Sequence, residues 1–244
     1  MKSSEALRIV RQTKANYNTT VVEWDVTRNR PSGVKSRLIK PVKPGWQVLD
    51  DGCGNGVMAT EILNRGAVYC GIDLSDKLIK IAKKKYLGAI KSGQAKFVCG
   101  DALKLPFPEN SFDFVFSFAV MHHIPSAKLR LKFLREIYRV LKPGAGSVIT
   151  NWNLLSDWER NKYNIDDKLN NPEPGLDAGD VYVPWKATRG QTINRYLHIF
   201  NDNELSQLAK ETGFTKIRIE YRDRFGNFKK AGDVQIFKIK KPPK

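Results

Sequence analysis

The spacing of apolar and polar positions predicts an open sheet of strands with helices between them. Val48-Leu49 begins a short apolar run that ends in Asp50-Asp51, and Ala67–Ile72 is a second run ending at Asp73. Phe97-Val98-Cys99 leads to Gly100-Asp101. Ser111–Ser117 carries Phe112, Phe114, Val115 and Phe116, and Ser147–Thr150 gives a fifth run. Short apolar runs bounded by glycine or acid read as buried strands. Between them the period changes to that of a helix. Asp76–Lys85 places Leu78, Ile81 and Ala82 on one face, and Ser126–Leu141 carries a stripe of Leu129, Phe133, Leu134, Ile137 and Val140 with Ser126 as its cap. Further helices are expected over residues 4–16, Gly33–Leu38, Met58–Asn64 and Asn203–Thr212, the last stopped by Gly213. Two final strands, about Phe214–Glu220 and Asp233–Lys240, end the pattern as an antiparallel hairpin.

Residues 151–195 break the rhythm. They are polar, without clean periodicity, and a stretch this long at the ligand edge of a sheet is expected to be a functional insertion. The whole chain reads as a single domain, 1–244. Residues 1–43 form a lid and substrate region, 44–150 a nucleotide-binding core, 151–200 the insertion, and 201–244 the last helix and hairpin.

Candidate chemistry gathers at the strand ends. Gly52, Gly54 and Gly56 follow the first strand at every second position, where missing Cβ atoms let the backbone turn sharply and approach a ligand. Asp73, about 20 residues on, suits the two hydrogen bonds of a ribose diol. Phe118–Pro125 lies just past a central strand and contains His122-His123. Adjacent residues rarely point into one site, and no cysteine or acid cluster accompanies the pair. No metal site is therefore expected, and one imidazole is expected to line a substrate pocket. Arg28 and Arg30 stand among aromatics in the lid, ready to fork onto a carboxylate or phosphate, or simply solvated.

Charge changes the picture most. Lys and Arg number 42 against 25 acids, a net charge of +17, which favours a polyanionic partner, nucleic acid first. A generally lysine-rich surface is the alternative. Lys128, Lys132, Arg135 and Arg139 form a row about 16 Å long at helical rise, suited to a phosphate backbone or to plain solvation. Residues Lys210–Lys244 hold 11 basic residues and 4 acids. Within them Arg222-Asp223-Arg224-Phe225-Gly226-Asn227-Phe228-Lys229-Lys230 alternates basic and aromatic residues, as single-strand nucleic-acid contacts do. No stretch approaches the about 18 uninterrupted apolar residues of a membrane span, and Met1–Glu5 lacks the apolar run of a signal peptide. Cys53, Cys70 and Cys99 show neither metal spacing nor a disulfide ladder. They are expected as small core residues of a reduced, cytoplasmic protein.

The ordered set Val48–Gly56, Gly71–Ser75, Phe97–Ala102, Ser111–Ser117 and Leu141–Gly146 resembles the class I S-adenosylmethionine-dependent methyltransferases over about residues 44–150. The resemblance implies an α/β, Rossmann-like fold: a mostly parallel seven-stranded sheet with a C-terminal antiparallel hairpin and helices on both faces. It implies S-adenosyl-L-methionine as cofactor and S-adenosyl-L-homocysteine as its product. Asp50, Gly52, Gly54 and Gly56 would serve the methionine end and Asp73 the ribose. Asp101 and Ala102 would serve the adenine, with Leu74 and Ser117 also at the cofactor. One departure is Asp51, where the family usually has an apolar or small residue.

Outside that core, Arg28 before Pro31, His122-His123, Asp180-Val181-Tyr182-Val183-Pro184-Trp185 and Arg195-Tyr196-Leu197-His198-Ile199-Phe200 resemble a narrower group. These are the eukaryotic-type tRNA wobble-uridine carboxymethyl methyltransferases, the yeast-type enzyme and the methyltransferase domain of its animal AlkB-homologue relative. The resemblance implies methylation of the carboxylate of 5-carboxymethyluridine in the tRNA anticodon stem-loop. Arg28, Arg195 and His122 become candidate catalytic residues, with one arginine holding the carboxylate. His123, Trp152, Trp185, Tyr196 and His198 become candidate substrate contacts, the aromatics stacking on uracil or packing in the core. A small zinc-binding activator protein beside the sheet edge is a further implied partner. A small-molecule methyltransferase acting on a quinone, sterol or acid, and a non-enzymatic RNA-binding module of the same fold, are the alternatives.

Overall fold

The computed structural model describes residues 1–186, 192–223, 225–230 and 232–243, and in it the apolar runs become five parallel strands. They are β1 (Gln47–Asp51), β2 (Val68–Asp73), β3 (Ala95–Cys99), β4 (Phe112–Phe118) and β5 (Leu141–Trp152). Four more follow: β6 (Asp180–Lys186), β7 (Thr192–His198), β8 (Thr215–Arg222) and β9 (Val234–Lys240). One sheet holds seven strands in the order β3-β2-β1-β4-β5-β9-β8, with β9 antiparallel to both neighbours. Strand order reverses between β1 and β4. That opens a crevice outside their carboxyl ends, the place where such sheets bind ligands.

Among the described residues, ten helices cover the sheet and its rim. Before the sheet come α1 (Ser3–Thr19), α2 (Val21–Thr27) and α3 (Gly33–Leu38). The strands are linked by α4 (Ala59–Leu63), α5 (Asp76–Lys85), α6 (Leu87–Lys91) and α7 (Ala127–Val140). Then follow α8 (Asp157–Lys162), α9 (Ile165–Asn170) and α10 (Asp202–Thr212). Caps fix several boundaries: Ser75, Ser126 and Asn201 side chains accept the N–H groups of Leu78, Leu129 and Glu204, and Gly213 ends α10 at φ 95°. Each face of the sheet has its own core. Leu49, Ile72, Val115 and Ile149 pack with Phe133 and Ile137 of α7 and Leu205 of α10. Val48, Tyr69 and Phe116 pack on the other side with Val34, Met58, Ile62 and Ile79. The pleat of β1 therefore sends Leu49 one way and Val48 the other, and the same alternation governs the two acids that follow.

Several expectations need correction. β5 reaches from Leu141 to Trp152, well beyond Ser147–Thr150, because β9 pairs with it residue by residue from Gly146 to Trp152. α4, by contrast, falls at Ala59–Leu63 with Met58 and Asn64 as its caps, as expected, and the glycine turn before it is tight, with Gly56 N–H bonded to Cys53 O at 2.9 Å. Cys99 is exposed, since it ends the edge strand β3. Arg139 does not belong to a free basic row: it pairs with Glu136 at 2.7 Å and donates to the carbonyls of Leu105 and Phe107. The insertion is ordered too. The β6–β7 hairpin and α9 bury Val181, Val183, Leu197 and Ile165 around Leu154, a third small core. Among the connector residues, Arg224 lies outside those described.

Candidate active site

The carboxyl ends of β1, β2 and β4 open into a solvent-connected cavity with about 850 Å³ of empty space, its open mouth included. Gly52, Asp73, Leu74, Asp101 and Ala102 line it, as expected of them, together with Asp51, Ala119, Val120 and His123. α1 and α2 close it from above with Tyr17 and Trp24. Gly52 has φ 85° and a side chain there would run into Val120. Gly54 has φ 56°, and a Cβ would lie 3.1 Å from the Trp24 indole nitrogen. Both positions thus require glycine for the turn and for the close approach of the lid. Gly56 faces elsewhere, onto Tyr86 and Phe97 in the core.

Asp73 is held by two backbone donors, Gly54 N–H and Ser75 N–H, each at 2.8 Å. Each carboxylate oxygen keeps a second lone pair, so a diol in the cavity can still donate to it. Asp101 likewise accepts Leu103 N–H at 2.8 Å. Asp50 and Ser117 do not line the cavity. Asp50 turns to the opposite face of β1 and accepts the Tyr69 hydroxyl at 2.7 Å. Burial raises its pKa to about 6, against the pull of Tyr69 and Lys35. Ser117 is buried between strands and donates to the Asp51 carbonyl at 2.9 Å. The cavity-facing acid of β1 is Asp51. Its Oδ2 is buried without a hydrogen-bond partner, and burial plus the charges of Asp50, Asp73 and Asp101 push its pKa far above the usual carboxylate range.

A smaller cleft of about 210 Å³ shares Thr13, Tyr17 and His123 with the cavity and is bounded by Trp185 and Arg195. Here the structure brings together most of the expected substrate residues. Arg28 stacks on Trp24, 3.7 Å from the ring centroid, and lies 5.8 Å from Trp185. Arg195 lies 5.1 Å from Trp185 and 4.7 Å from Trp152. Arg195 is 5% exposed and its Nε makes no hydrogen bond. Among the described residues neither arginine forms an ion pair. Burial holds both pKa values below the usual arginine range, with repulsion from Arg195 adding to it at Arg28; Tyr17 opposes this at both, and Tyr163 and Glu159 oppose it at Arg195. Arg30, by contrast, is exposed.

The two histidines are both neutral. His123 Nδ1 faces the Tyr196 carbonyl at 3.0 Å, so it must donate, and Nε2 then accepts the Tyr17 hydroxyl at 2.8 Å. Burial brings its pKa down to about 4. His122 accepts Trp152 N–H on Nδ1 at 3.3 Å, which leaves its proton on Nε2, a buried atom with no partner. Burial, with His123 and Arg195 nearby, lowers its pKa strongly. The backbone beneath is unusual: Ala119, between β4 and these histidines, has φ 62°, its N–H tied to the Thr150 carbonyl at 3.0 Å.

His198 corrects the expectation of substrate contact, while Tyr196 lines the smaller cleft. The Tyr196 ring is buried and its hydroxyl donates to Asp180 at 2.5 Å. His198 bridges Asp180 at 2.7 Å and Glu204 at 2.9 Å, and Arg130 pairs with Glu204 at 3.3 Å. This buried ionic cluster fastens β6–β7 to α7 and α10. Arg130 was legible in principle: it stands at the i, i+3, i+4 and i+7 positions with Phe133, Leu134 and Ile137, on the apolar stripe itself. Among the described residues no group of His, Cys, Asp and Glu has the arrangement of a metal site, and no helix is long and apolar enough to cross a membrane.

A family model described as a methyltransferase domain matches residues 49–149. A Schizosaccharomyces pombe protein named tRNA (carboxymethyluridine(34)-5-O)-methyltransferase is 29% identical over 81% of this chain and 86% of its own length. An Arabidopsis thaliana protein of the same name is 36% identical over 58% of this chain, which spans 34% of that protein. Among solved structures, a SAM-dependent methyltransferase from Methanosarcina mazei superposes with a TM-score of 0.64 at 26% identity, covering 85% of this chain and 98% of that one. Strand order, glycine turn and relatives agree, and the chain belongs to the class I S-adenosylmethionine-dependent methyltransferases.

Proposed function

We propose that the chain methylates the carboxylate of 5-carboxymethyluridine at the wobble position of tRNA. The observation that carries this reading is the pair of arginines, Arg28 and Arg195, 5.8 and 5.1 Å from the Trp185 ring at the cleft that shares Tyr17 and His123 with the cofactor cavity. Leaving a buried cation without a counter-charge is costly. Among the described residues Arg195 is buried with no ion pair, Glu159 attracting it without contact, and such a site suits an anion that arrives with the substrate. A guanidinium fork matches a carboxylate, and Trp152 or Trp185 offers a face to a base.

The cofactor supplies an electrophilic methyl group on a sulfonium. The residues of this chain fit it: Asp73 keeps lone pairs for the ribose diol, Asp101 and the Ala102 N–H stand where the adenine edge would lie, and the glycine turn leaves room alongside. A carboxylate acceptor has an unperturbed pKa near 4, so it reaches the site already ionised. No general base is required, and the neutral histidines are consistent with that. The work left to the protein is alignment and exclusion of water, on the order of 7–11 kcal/mol at its best. One arginine grips the carboxylate while α1 and α2 cover the reactants. His122 and His123 pin the cleft wall, through the Trp152 and Tyr196 backbones.

Transfer of tritiated methyl to tRNA, followed by mild alkali, tests the reading. A methyl ester releases its label in base. Label that survives alkali, on ring nitrogen, carbon or ribose, overturns it. Label accepted by small acids but not by tRNA would move the assignment to a small-molecule enzyme.

A further inference from the structure

The connector between β8 and β9 is a braced, cationic loop that holds two aromatic rings in water. It stands at the same rim as the substrate cleft, because β9 is antiparallel and its first residue, Val234, pairs with Trp152 at the end of β5. The Asp223 carboxylate accepts three hydrogen bonds, from Phe225 N–H at 2.9 Å, Asn227 N–H at 2.8 Å and the Asn227 amide at 3.0 Å. The Gly226 carbonyl accepts Arg37 of α3 at 2.8 Å and Arg222 at 3.1 Å. Gly33, at the start of α3, packs so tightly here that a Cβ would lie 2.9 Å from the Phe225 carbonyl oxygen. A loop fixed in this way does not collapse to hide its side chains. Phe225 remains 65% exposed and Phe228 73% exposed, and Lys229 and Lys230 beside them are exposed as well.

The distribution of exposed apolar groups supports a binding role. Of the eight large exposed hydrophobic residues among the described ones, Val22 and Val26 lie on α2, Leu155 and Trp158 around α8, and two are these phenylalanines. Single exposed hydrophobics are ordinary, but two exposed rings on one braced loop are not. A protein helix would seek a continuous apolar groove. Here the rings alternate with lysines, and the one acid of the loop's tip, Asp223, is occupied by its own N–H donors.

We propose that this connector is an RNA-docking platform. Phe225 and Phe228 stack on unpaired bases flanking the target nucleotide, and Lys229 and Lys230 meet the phosphates between them. Stacking tolerates any base, and the cations supply attraction to the backbone. The proposal rests on the tRNA reading and extends it to a second contact zone.

Binding of an anticodon stem-loop RNA, measured by fluorescence anisotropy across a salt series, tests the platform. The Phe225→Ala/Phe228→Ala protein is expected to bind at least about 30-fold more weakly with an unchanged salt slope. The Lys229→Ala/Lys230→Ala protein is expected to lose about 1.4 from the slope of log affinity against log salt, at ~0.7 per phosphate on a single strand. Melting temperature and S-adenosylhomocysteine affinity by calorimetry, expected to be unchanged in both, report the fold. Wild-type RNA affinity in the phenylalanine variant, or loss of a protein partner with RNA binding intact, overturns the platform and leaves the tRNA reading standing. Failure of the unmodified protein to retain RNA at low salt overturns both.

Discussion

Arg195 carries the chemistry of the proposed cleft in one side chain. Its guanidinium carbon lies 4.7 Å from the Trp152 ring centroid and 5.1 Å from that of Trp185, with its Nε unbonded. Replacing it with alanine removes a charge-assisted contact, typically about 1.5–3 kcal/mol, so kcat/KM for carboxymethyluridine tRNA is expected to fall about 10- to 100-fold. S-adenosylhomocysteine affinity should hold. Equal loss of both would signal misfolding instead. Lysine should rescue poorly, since a point charge neither stacks nor forks. Asp51 makes the opposite kind of prediction. Its carboxyl has a raised pKa in the folded protein, so the fold binds a proton that the unfolded chain has released, and stability declines as pH rises above the unfolded value near 4. Ligand-free Asp51→Asn is therefore expected to melt above the wild-type protein at pH 8 and level with it near pH 4, read by calorimetry. The residue pattern announced an acid at this turn, but two stand side by side. Only the pleat of β1 decides that Asp51 faces the cavity and Asp50 faces Tyr69.

At the scale of elements, the β6–β7 hairpin depends on the ionic cluster under it. Removing one member of a buried pair leaves the others uncompensated, and Arg130→Met is expected to destabilise the protein by about 3–5 kcal/mol by denaturant titration. The cluster also makes stability depend on pH in both directions. Burial alone would lower the His198 pKa, but the bonds to Asp180 and Glu204 outweigh it and the net shift is upward. Its contribution is complete below the unfolded histidine value near 6.5 and disappears as pH climbs through the raised folded value. Burial pushes Asp180 up, yet His198 and Tyr196 leave it depressed, so its share is lost as acid titrates it. Melting temperature should thus fall at both ends of the pH range, and His198→Asn should flatten the alkaline side. The hairpin escaped the sequence reading because its strands are half buried against six-residue helices, too short to show a period. Arg130 escaped because a cation on an apolar stripe looks like interruption until its partners, about 50 and 70 positions later in the chain, are folded beside it. The central strands β1, β2 and β4 were legible because each is buried on both faces and reads as a nearly continuous apolar run.

At the scale of the whole molecule, the +17 charge is read most directly as an affinity for polyanions. If tRNA is the substrate, binding should weaken steeply between 50 and 200 mM salt, by about 10³-fold or more where six or more phosphates are neutralised. A flat salt profile would contradict the assignment. The cofactor half of the site was visible in the sequence, since Gly52, Asp73 and Asp101 each close a strand and strand ends share one rim. The substrate half was visible only as a set of residue types. Arg28, Trp152, Trp185 and Arg195 come from four separate segments, and nothing local to any of them reveals that they meet.

Trp24 and Arg28 sit one turn apart on the same lid, the first resting over the glycine bend and the second reaching toward Trp185. One lid segment therefore stands at both the cofactor cavity and the substrate cleft. If RNA is the substrate, whatever factor by which bound donor tightens the grip on it, bound RNA must tighten the grip on donor by the same factor. Weakening the lid should erode this reciprocity before it erodes either affinity alone, and departure of the spent donor would then wait on departure of the RNA.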